Sequence, residues 1–112
     1  MISPRKLLLI LINSAECAGY KNGVSMYTIK KHYQKQLEIL GLKRKFDVDE
    51  HTLFDYLENL KDLLFINIRQ VDYYKTFVLT KYGRCLSKHI LQNDLGYIDR
   101  TLVINQFPIR KG

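Results

Sequence analysis

Few residues of this chain have the type and spacing that catalysis or metal binding requires. Its histidines, His32, His51 and His89, do not have metal-site spacing, and with only two cysteines a structural zinc site would need an unusual set of ligands. The sequence has no glycine-rich phosphate loop, no convincing pair of catalytic carboxylates, and no Cys–His or Ser–His arrangement with supporting spacing. We therefore expect a protein that is not an enzyme and that uses no metal or cofactor.

The chemistry that the composition does favour is electrostatic. The 112 residues include 18 Lys and Arg against 11 Asp and Glu, which gives a formal charge of +7 and a pI of about 9.5. A basic excess of this size favours a polyanionic partner. The longest apolar run, residues 7–12, is too short to span a bilayer, and its flanks do not resemble a secretory signal. We expect an intracellular protein without a membrane segment or a small-molecule substrate.

Local signals predict two helices in the first part of a single domain. Ser3 and Pro4 are typical of a helix start, and Gly19 is expected to end this first, core-forming helix. Ser25 is expected to cap a second helix that runs from residue 26 to about residue 40, where Gly41 stops it.

A third helix is predicted after a basic loop. Asp47 and Glu50 have capping-box spacing, with Asp47 as the cap, and leucines then recur at positions 53, 57, 60 and 64. The helix is expected to run straight into the next element.

That next element is predicted to be a β-hairpin. Apolar and polar residues nearly alternate over residues 66–71, and residues 76–79 are β-branched and aromatic, as in a return strand. Residues 72–75 are short and polar enough to form the turn. Because a two-stranded ribbon needs a packed partner, the hairpin is expected to lie on the helices, with Val24 extended beside it.

Thr80 is predicted to cap a final helix. Gly83 lies in its first turns, where it costs about 1 kcal/mol relative to alanine, so a close neighbouring backbone is expected there. The remaining segment, residues 93–112, is a tail to which the sequence assigns no structure, although residues 97–109 are apolar enough to pack somewhere.

This order of elements resembles the winged helix-turn-helix: mainly α with a small β-hairpin (α+β), a three-helix core, a wing and a C-terminal helix. The specific likeness is in residues 74–86, where Phe77-Val78-Leu79-Thr80, then Gly83 and Leu86, looks like the junction between wing and last helix in many archaeal and bacterial regulators. Residues 57–66 resemble the end of their recognition helix. The resemblance covers roughly residues 4–92. The size and composition are similar to short DNA-binding proteins of archaeal viruses and plasmids, particularly spindle-shaped viruses of hyperthermophilic hosts.

The resemblance implies duplex DNA binding and a role in transcription regulation. It places a recognition helix (about residues 48–62) in the major groove and a wing (about residues 65–80) on an adjacent groove or the backbone. The base-contacting positions that carry over are Glu50, His51, Thr52, Asp55 and Asn59. The wing contacts that carry over are Arg69, Tyr73, Tyr74 and Lys75. Phosphate contacts are expected from the basic residues Lys30, Lys31, Lys35, Lys43, Arg44 and Lys45.

The third helix departs from the family pattern in its charge. Residues 47–62 carry six acidic residues and one basic residue. Acidic side chains can accept hydrogen bonds from cytosine amines, yet this excess opposes approach to phosphates. Either the first acids mainly cap the helix, or DNA is held by the second helix, the basic loop and the wing. A protein-interaction module without DNA readout is the alternative function, and the acidic helix and apolar tail favour it. Basic residues that cluster on one face together with the wing would favour DNA binding.

The resemblance also bears on the two cysteines. The first and last helices can pack together in winged-helix folds, so a disulfide between Cys17 and Cys85 is geometrically possible. Reduced, buried thiols are the alternative, and intracellular disulfides are known from hyperthermophilic archaea. Such a bond would contribute about 4 kcal/mol in the chain-entropy model. A monomer and a homodimer both remain open.

Overall fold

The computed structural model describes residues 2–110. Within them, six helices accompany a three-stranded antiparallel sheet, which confirms the predicted fold class. The elements in chain order are α1 (Pro4–Cys17), β1 (Val24–Ser25), α2 (Met26–Leu40), α3 (Lys43–Phe46), α4 (Glu50–Asp62), β2 (Ile66–Val71), β3 (Tyr74–Leu79), α5 (Lys81–Asn93) and α6 (Tyr97–Ile104). No helix in the described range is long and apolar enough to cross a membrane.

Helix α1 forms the centre of the core. Every residue from Leu7 to Ala15 is buried, as expected for a helix that is apolar on nearly all sides. Helices α2, α4, α5 and α6 and strand β3 all pack against it. Ser3 caps it as predicted, because its side chain accepts a hydrogen bond from the backbone N–H of Lys6.

The sheet has the strand order β1-β3-β2. Val24 lies opposite Phe77, which confirms the extended residue predicted beside the hairpin. The hairpin turn is shorter than predicted, because Val71 pairs with Tyr74 and only two residues connect the strands. A two-residue turn needs backbone in the left-handed region, and Asp72 supplies it at φ 51°. Tyr74 and Lys75 therefore belong to β3 and not to the turn.

Helix α4 begins two residues later than predicted. Asp49 is its cap, and the Asp49 carboxylate accepts the backbone N–H of Thr52 at 2.8 Å. Asp47 instead follows α3, a one-turn helix in the stretch predicted as a basic loop, and accepts a hydrogen bond from Gln34 at 2.7 Å. Helix α4 also does not run straight into β2, because a short connection with Leu64 at φ 67° separates them.

Helix α5 is fixed against the base of the hairpin. Thr80 caps it as predicted, and its hydroxyl accepts the backbone N–H of Gly83 at 3.1 Å. A Cβ atom at Gly83 would collide with the carbonyl oxygen of Phe65. The close backbone approach expected at this glycine is therefore confirmed.

The last part of the chain, left without assignment by the sequence, packs on α1 and α2. Helix α6 buries Val103, and the tail segment (residues 105–110) buries Phe107. The Gln106 side chain donates to the Gln36 side chain at 2.6 Å, and the backbone N–H of Arg110 donates to the carbonyl of Ala18 at 2.7 Å. Residues 111 and 112 lie outside the described range.

Candidate nucleic-acid interface

A cleft of about 620 Å³ opens between the start of α2, helix α4 and the hairpin. We call it the wing cleft. Tyr27 and Thr28 line it from α2, Phe54 from α4, and Tyr74 and Lys75 from β3. The two elements predicted to contact DNA, α4 and the hairpin, thus border one concavity together with the start of α2.

The hairpin presents its polar residues on two faces. Arg69 pairs with Thr76, whereas Lys75 pairs with Gln70. Because successive residues of a strand point to opposite faces, Arg69 and Lys75 project from opposite sides of the ribbon. Tyr73, in the turn, is completely exposed. Arg69 and Lys75 therefore cannot both meet one flat surface, and they suit a hairpin that has nucleic acid on both of its faces.

The structure separates the three lysines predicted on α2. Gln34 lies one turn beyond Lys30 on the same face, and it reaches Asp47 beside α4. Lys30 therefore lies on the side of α2 nearer to α4. Lys31 and Lys35 instead line a smaller pocket formed with the tail segment.

The basic residues of α3 are exposed just before α4 begins. Lys43 lies 3.7 Å from Glu38, and the Lys45 ammonium lies 5.3 Å from the ring centroid of Phe46. Within residues 2–110, Arg44 has no ion pair. This one-turn helix places the basic residues predicted to contact phosphates beside the start of α4.

Several acids at the start of α4 have structural partners. The backbone N–H of Thr52 donates to Asp49 and lowers the pKa of that carboxyl, so Asp49 is held ionised as a helix cap. Asp47 is engaged by Gln34. Glu50 is exposed in the first turn, where negative charge stabilises the helix dipole. The structure thus gives Asp49 and Glu50 roles at the helix start, whereas Asp47 makes a tertiary contact with α2.

Side chains also contact one another along α4. Nε2 of His51 lies 3.9 Å from the carboxylate of Asp55, one helical turn further on, and the Lys61 ammonium forms an ion pair of 3.2 Å with the carboxylate of Glu58. The predicted base-contacting residues differ in access, because His51 and Asp55 are exposed with Glu50, whereas Thr52 and Asn59 are half-buried. The exposed ones are the better placed to reach a partner.

The structure does not contain the possible disulfide between Cys17 and Cys85, and both thiols are free and exposed. Helices α1 and α5 do pack together. Next to the cysteines this contact is made by the residues that precede them, because the Arg84 guanidinium donates two 2.8 Å hydrogen bonds to Glu16. Because neighbouring residues of a helix point about 100° apart, the two cysteines lie off this contact. Their exposure also excludes the alternative of buried thiols.

The residues of the wing cleft that were not predicted as site residues include the aromatic residues Tyr27 and Phe54. Tyr27 is 75% exposed, and Phe54 is half-buried. The sequence signal for Tyr27 was its position two residues after the Ser25 cap, because the apolar pattern of the helix does not need an aromatic residue there. No group of three His, Cys, Asp or Glu residues in the described range could hold a metal ion.

Comparison with solved structures identifies the fold. The structure is similar to the crystal structure of the F-93 protein of SSV1, an archaeal spindle-shaped virus, with a TM-score of 0.57, 18% sequence identity and 80% of each chain covered. F-93 is a winged-helix protein, so this chain has a winged-helix fold like that of a spindle-shaped virus protein. The sequence matches no protein-family model and no curated protein.

Proposed function

We propose that this protein binds duplex DNA and regulates transcription. The observation that carries the proposal is the wing cleft, in which α4, the start of α2 and the hairpin surround one concavity beside the exposed Lys75. Helix α4 would enter the major groove, and the hairpin would contact an adjacent groove or the backbone. The winged-helix fold supports this geometry.

The distribution of basic side chains without an ion pair also supports DNA binding. Several basic side chains on the elements around α4 have no ion pair within residues 2–110; they are Lys30, Arg44, Lys45, Arg69 and Lys75. Each such side chain that meets a phosphate releases condensed counterions, so their joint effect is affinity that falls steeply with salt. They would supply the attraction that the acidic α4 lacks.

Helix α4 would then contribute specificity more than affinity. Glu50 and Asp55 are exposed carboxylates, and carboxylates accept hydrogen bonds from the cytosine amino group in the major groove. His51 is exposed between them and pairs with Asp55 at 3.9 Å. We propose a binding protein with this readout, and not an enzyme.

Fluorescence anisotropy with random duplex DNA at several salt concentrations tests the proposal. Wild type is compared with Arg69→Ala/Lys75→Ala and with a control, Lys81→Ala/Lys88→Ala, which removes the same charge from α5. If Arg69 and Lys75 contact phosphates, their removal lowers the slope of log affinity against log salt by about 2. The control should keep the wild-type slope. Equal slopes in all three proteins would contradict the wing contact.

One observation favours a second function, a protein-interaction module. Helix α6 has apolar residues on its outer side, where Tyr97 and Ile98 are more than 70% exposed and Leu102 is 48% exposed. Exposed apolar patches mark interaction sites on many soluble proteins. This alternative gains if wild type shows no binding to DNA even at low salt.

A further inference from the structure

A second pocket, of about 380 Å³, lies between α2 and the tail segment. We call it the tail pocket. Thr28, Lys31, His32 and Lys35 line it from one stripe of α2, and Gln106 lines it from the tail segment. No residue of α4 or the hairpin lines it, although it adjoins the wing cleft at Tyr20, Tyr27 and Thr28.

The pocket is basic and lacks a compensating acid. Lys31 and Lys35 are exposed one helical turn apart, and neither has an ion pair in the part of the chain that the structure describes. Like charges at this spacing destabilise a helix. None of the residues that line the pocket is acidic. An anion between the two lysines would remove this repulsion.

A pair of buried polar atoms lies beside the pocket. Nδ1 of His32 and Oε1 of Gln106 are buried and have no other hydrogen-bond partner among the described residues. The Gln106 side chain acts on the His32 ring as a hydrogen-bond partner, so a protonated Nδ1 pairs with Oε1 and the other ring nitrogen is left for a ligand. Gln106 is only 6% exposed, which makes it an internal part of the site and not a surface residue.

Both side chains are held in place. The Gln106 amide donates to Gln36, and the Gln36 amide donates to the carbonyl of Leu7, which fixes the orientation of the Gln106 side chain. The His32 ring stacks on Phe107 at 3.8 Å. A protonated imidazole has two donors, so one N–H can turn to Gln106 while the other meets an anion.

We propose that the tail pocket binds the phosphate group of a small phosphorylated ligand, with Lys31 and Lys35 neutralising its charge and His32 donating a hydrogen bond. The size fits, because small-molecule sites occupy about 300–1,000 Å³. The exposed ring of Tyr27 beside the pocket offers a flat surface for a nucleobase, so a nucleotide is one source of the phosphate. The other source is the backbone of bound DNA, and the test separates the two.

The test is calorimetric titration with inorganic phosphate and with adenosine monophosphate. Wild type and the control Lys81→Ala/Lys88→Ala should bind both probes saturably. The variant Lys31→Ala/Lys35→Ala should bind them about tenfold more weakly or worse, because it loses charge-assisted contacts. Adenosine monophosphate that binds more tightly than inorganic phosphate would place the base on Tyr27.

A second measurement tests His32 by a route that a folding defect would not mimic. Sulfate keeps its charge over the range in which histidine titrates, so its binding reports the protein's own protonation. Wild type should bind sulfate more tightly as the pH falls from about 7.5 to about 5, and His32→Gln should lose this dependence.

Three results would overturn the proposal. The first is no saturable binding of either phosphate probe by wild type. The second is equal weakening in the two double-lysine variants, which would show a general charge effect. The third is a Lys31→Ala/Lys35→Ala variant that keeps phosphate binding but loses DNA binding, which would assign these lysines to DNA alone. Duplex DNA is therefore titrated in parallel, so a failure of this site is distinguishable from a failure of DNA binding.

Discussion

The rings of His32 and Phe107 stack with their centroids 3.8 Å apart and their planes at 20°. Phe107 also meets the Tyr20 ring edge-on at 5.3 Å, and the Arg110 guanidinium lies 4.2 Å from the centroid of that same Tyr20 ring. A ladder of rings therefore fastens the tail segment across α2 and the end of α1. Residues without a recognisable pattern in the sequence thus complete the core.

The first prediction concerns this attachment. Phe107 is buried, so Phe107→Ala should lower the free energy of unfolding by about 3–5 kcal/mol, measured by urea denaturation. Ile109→Ala is the control, because Ile109 is 84% exposed and its loss should change stability by less than about 0.5 kcal/mol. Similar stabilities of the two variants would show that the tail segment is not part of the folded core.

The second prediction concerns the pH dependence of stability. Burial lowers the pKa of His32, and the charges of Lys35 and Lys31 lower it further, while the facing Gln106 opposes the shift. Phe107 and Pro108, which also lie beside His32 in the tail segment, carry no charge. The unfolded chain therefore binds a proton more readily than the folded protein, so stability should fall as the pH drops below about 6.5.

The measurement is the melting temperature of wild type and His32→Gln between about pH 7.5 and pH 5, in buffer without phosphate or sulfate. The difference between the two proteins isolates His32, because His51 and His89 are present in both. Wild type should lose more stability than the variant over this range. Parallel curves would contradict a lowered pKa of His32.

The elements that the sequence predicted well are those with strong local signals. Ser3, Ser25 and Thr80 cap their helices as expected, and Gly41 ends α2 at φ 68° in the left-handed region. The misplaced start of α4 has a physical reason. Asp47 and Asp49 both lie where a helix cap is possible. Asp47 is instead held beside α3 by a hydrogen bond from Gln34, so the cap is Asp49. Short α3 itself has too few residues for a periodic pattern.

The third prediction tests the close approach at Gly83. Gly83→Ala places a methyl group against the Phe65 carbonyl, which is backbone and cannot simply rotate away. Overpacking of this kind costs about 1–3 kcal/mol, so the urea midpoint should fall clearly. Gly96→Ala makes the same change where nothing lies within 4 Å, and it should have a much smaller effect. A larger loss at Gly96 than at Gly83 would be inconsistent with this packing.

The fourth prediction distinguishes the two acids before α4. Asp49→Ala should lower the urea midpoint at neutral pH more than Asp47→Ala, because only Asp49 accepts the N–H of Thr52. Asp49→Asn should retain most of the stability, since asparagine caps helices comparably. The reverse order of Asp49→Ala and Asp47→Ala would restore Asp47 as the cap.

The same cap has a pH signature. The pKa of the Asp49 carboxyl is lowered by hydrogen bonds from Thr52, so its charge stabilises the folded state above the unfolded pKa. This contribution should be lost as the pH falls from about 4 through the lowered value. Asp49→Asn should lack that loss, which comparison of acid unfolding curves will show.

The site was less predictable than the fold, because surface lysines give no local signal of the face they occupy. The sequence predicted one role for Lys30, Lys31 and Lys35. In the structure Lys30 lies on the side of α2 nearer to α4, whereas Lys31 and Lys35 lie beside the tail segment, and only the packing of α2 shows this difference. In the same way, the strand register that places Arg69 and Lys75 on opposite faces depends on the turn length. Both features are properties of the tertiary structure.

The most direct test of DNA binding at the wing cleft is an NMR titration of the ¹⁵N-labelled protein with a short duplex at low salt. The largest amide shifts should cluster in residues 26–28, 50–55 and 69–75, which are the start of α2, the first turns of α4 and the wing. Shifts confined to α6, or none at all, would contradict the account and favour the interaction module instead.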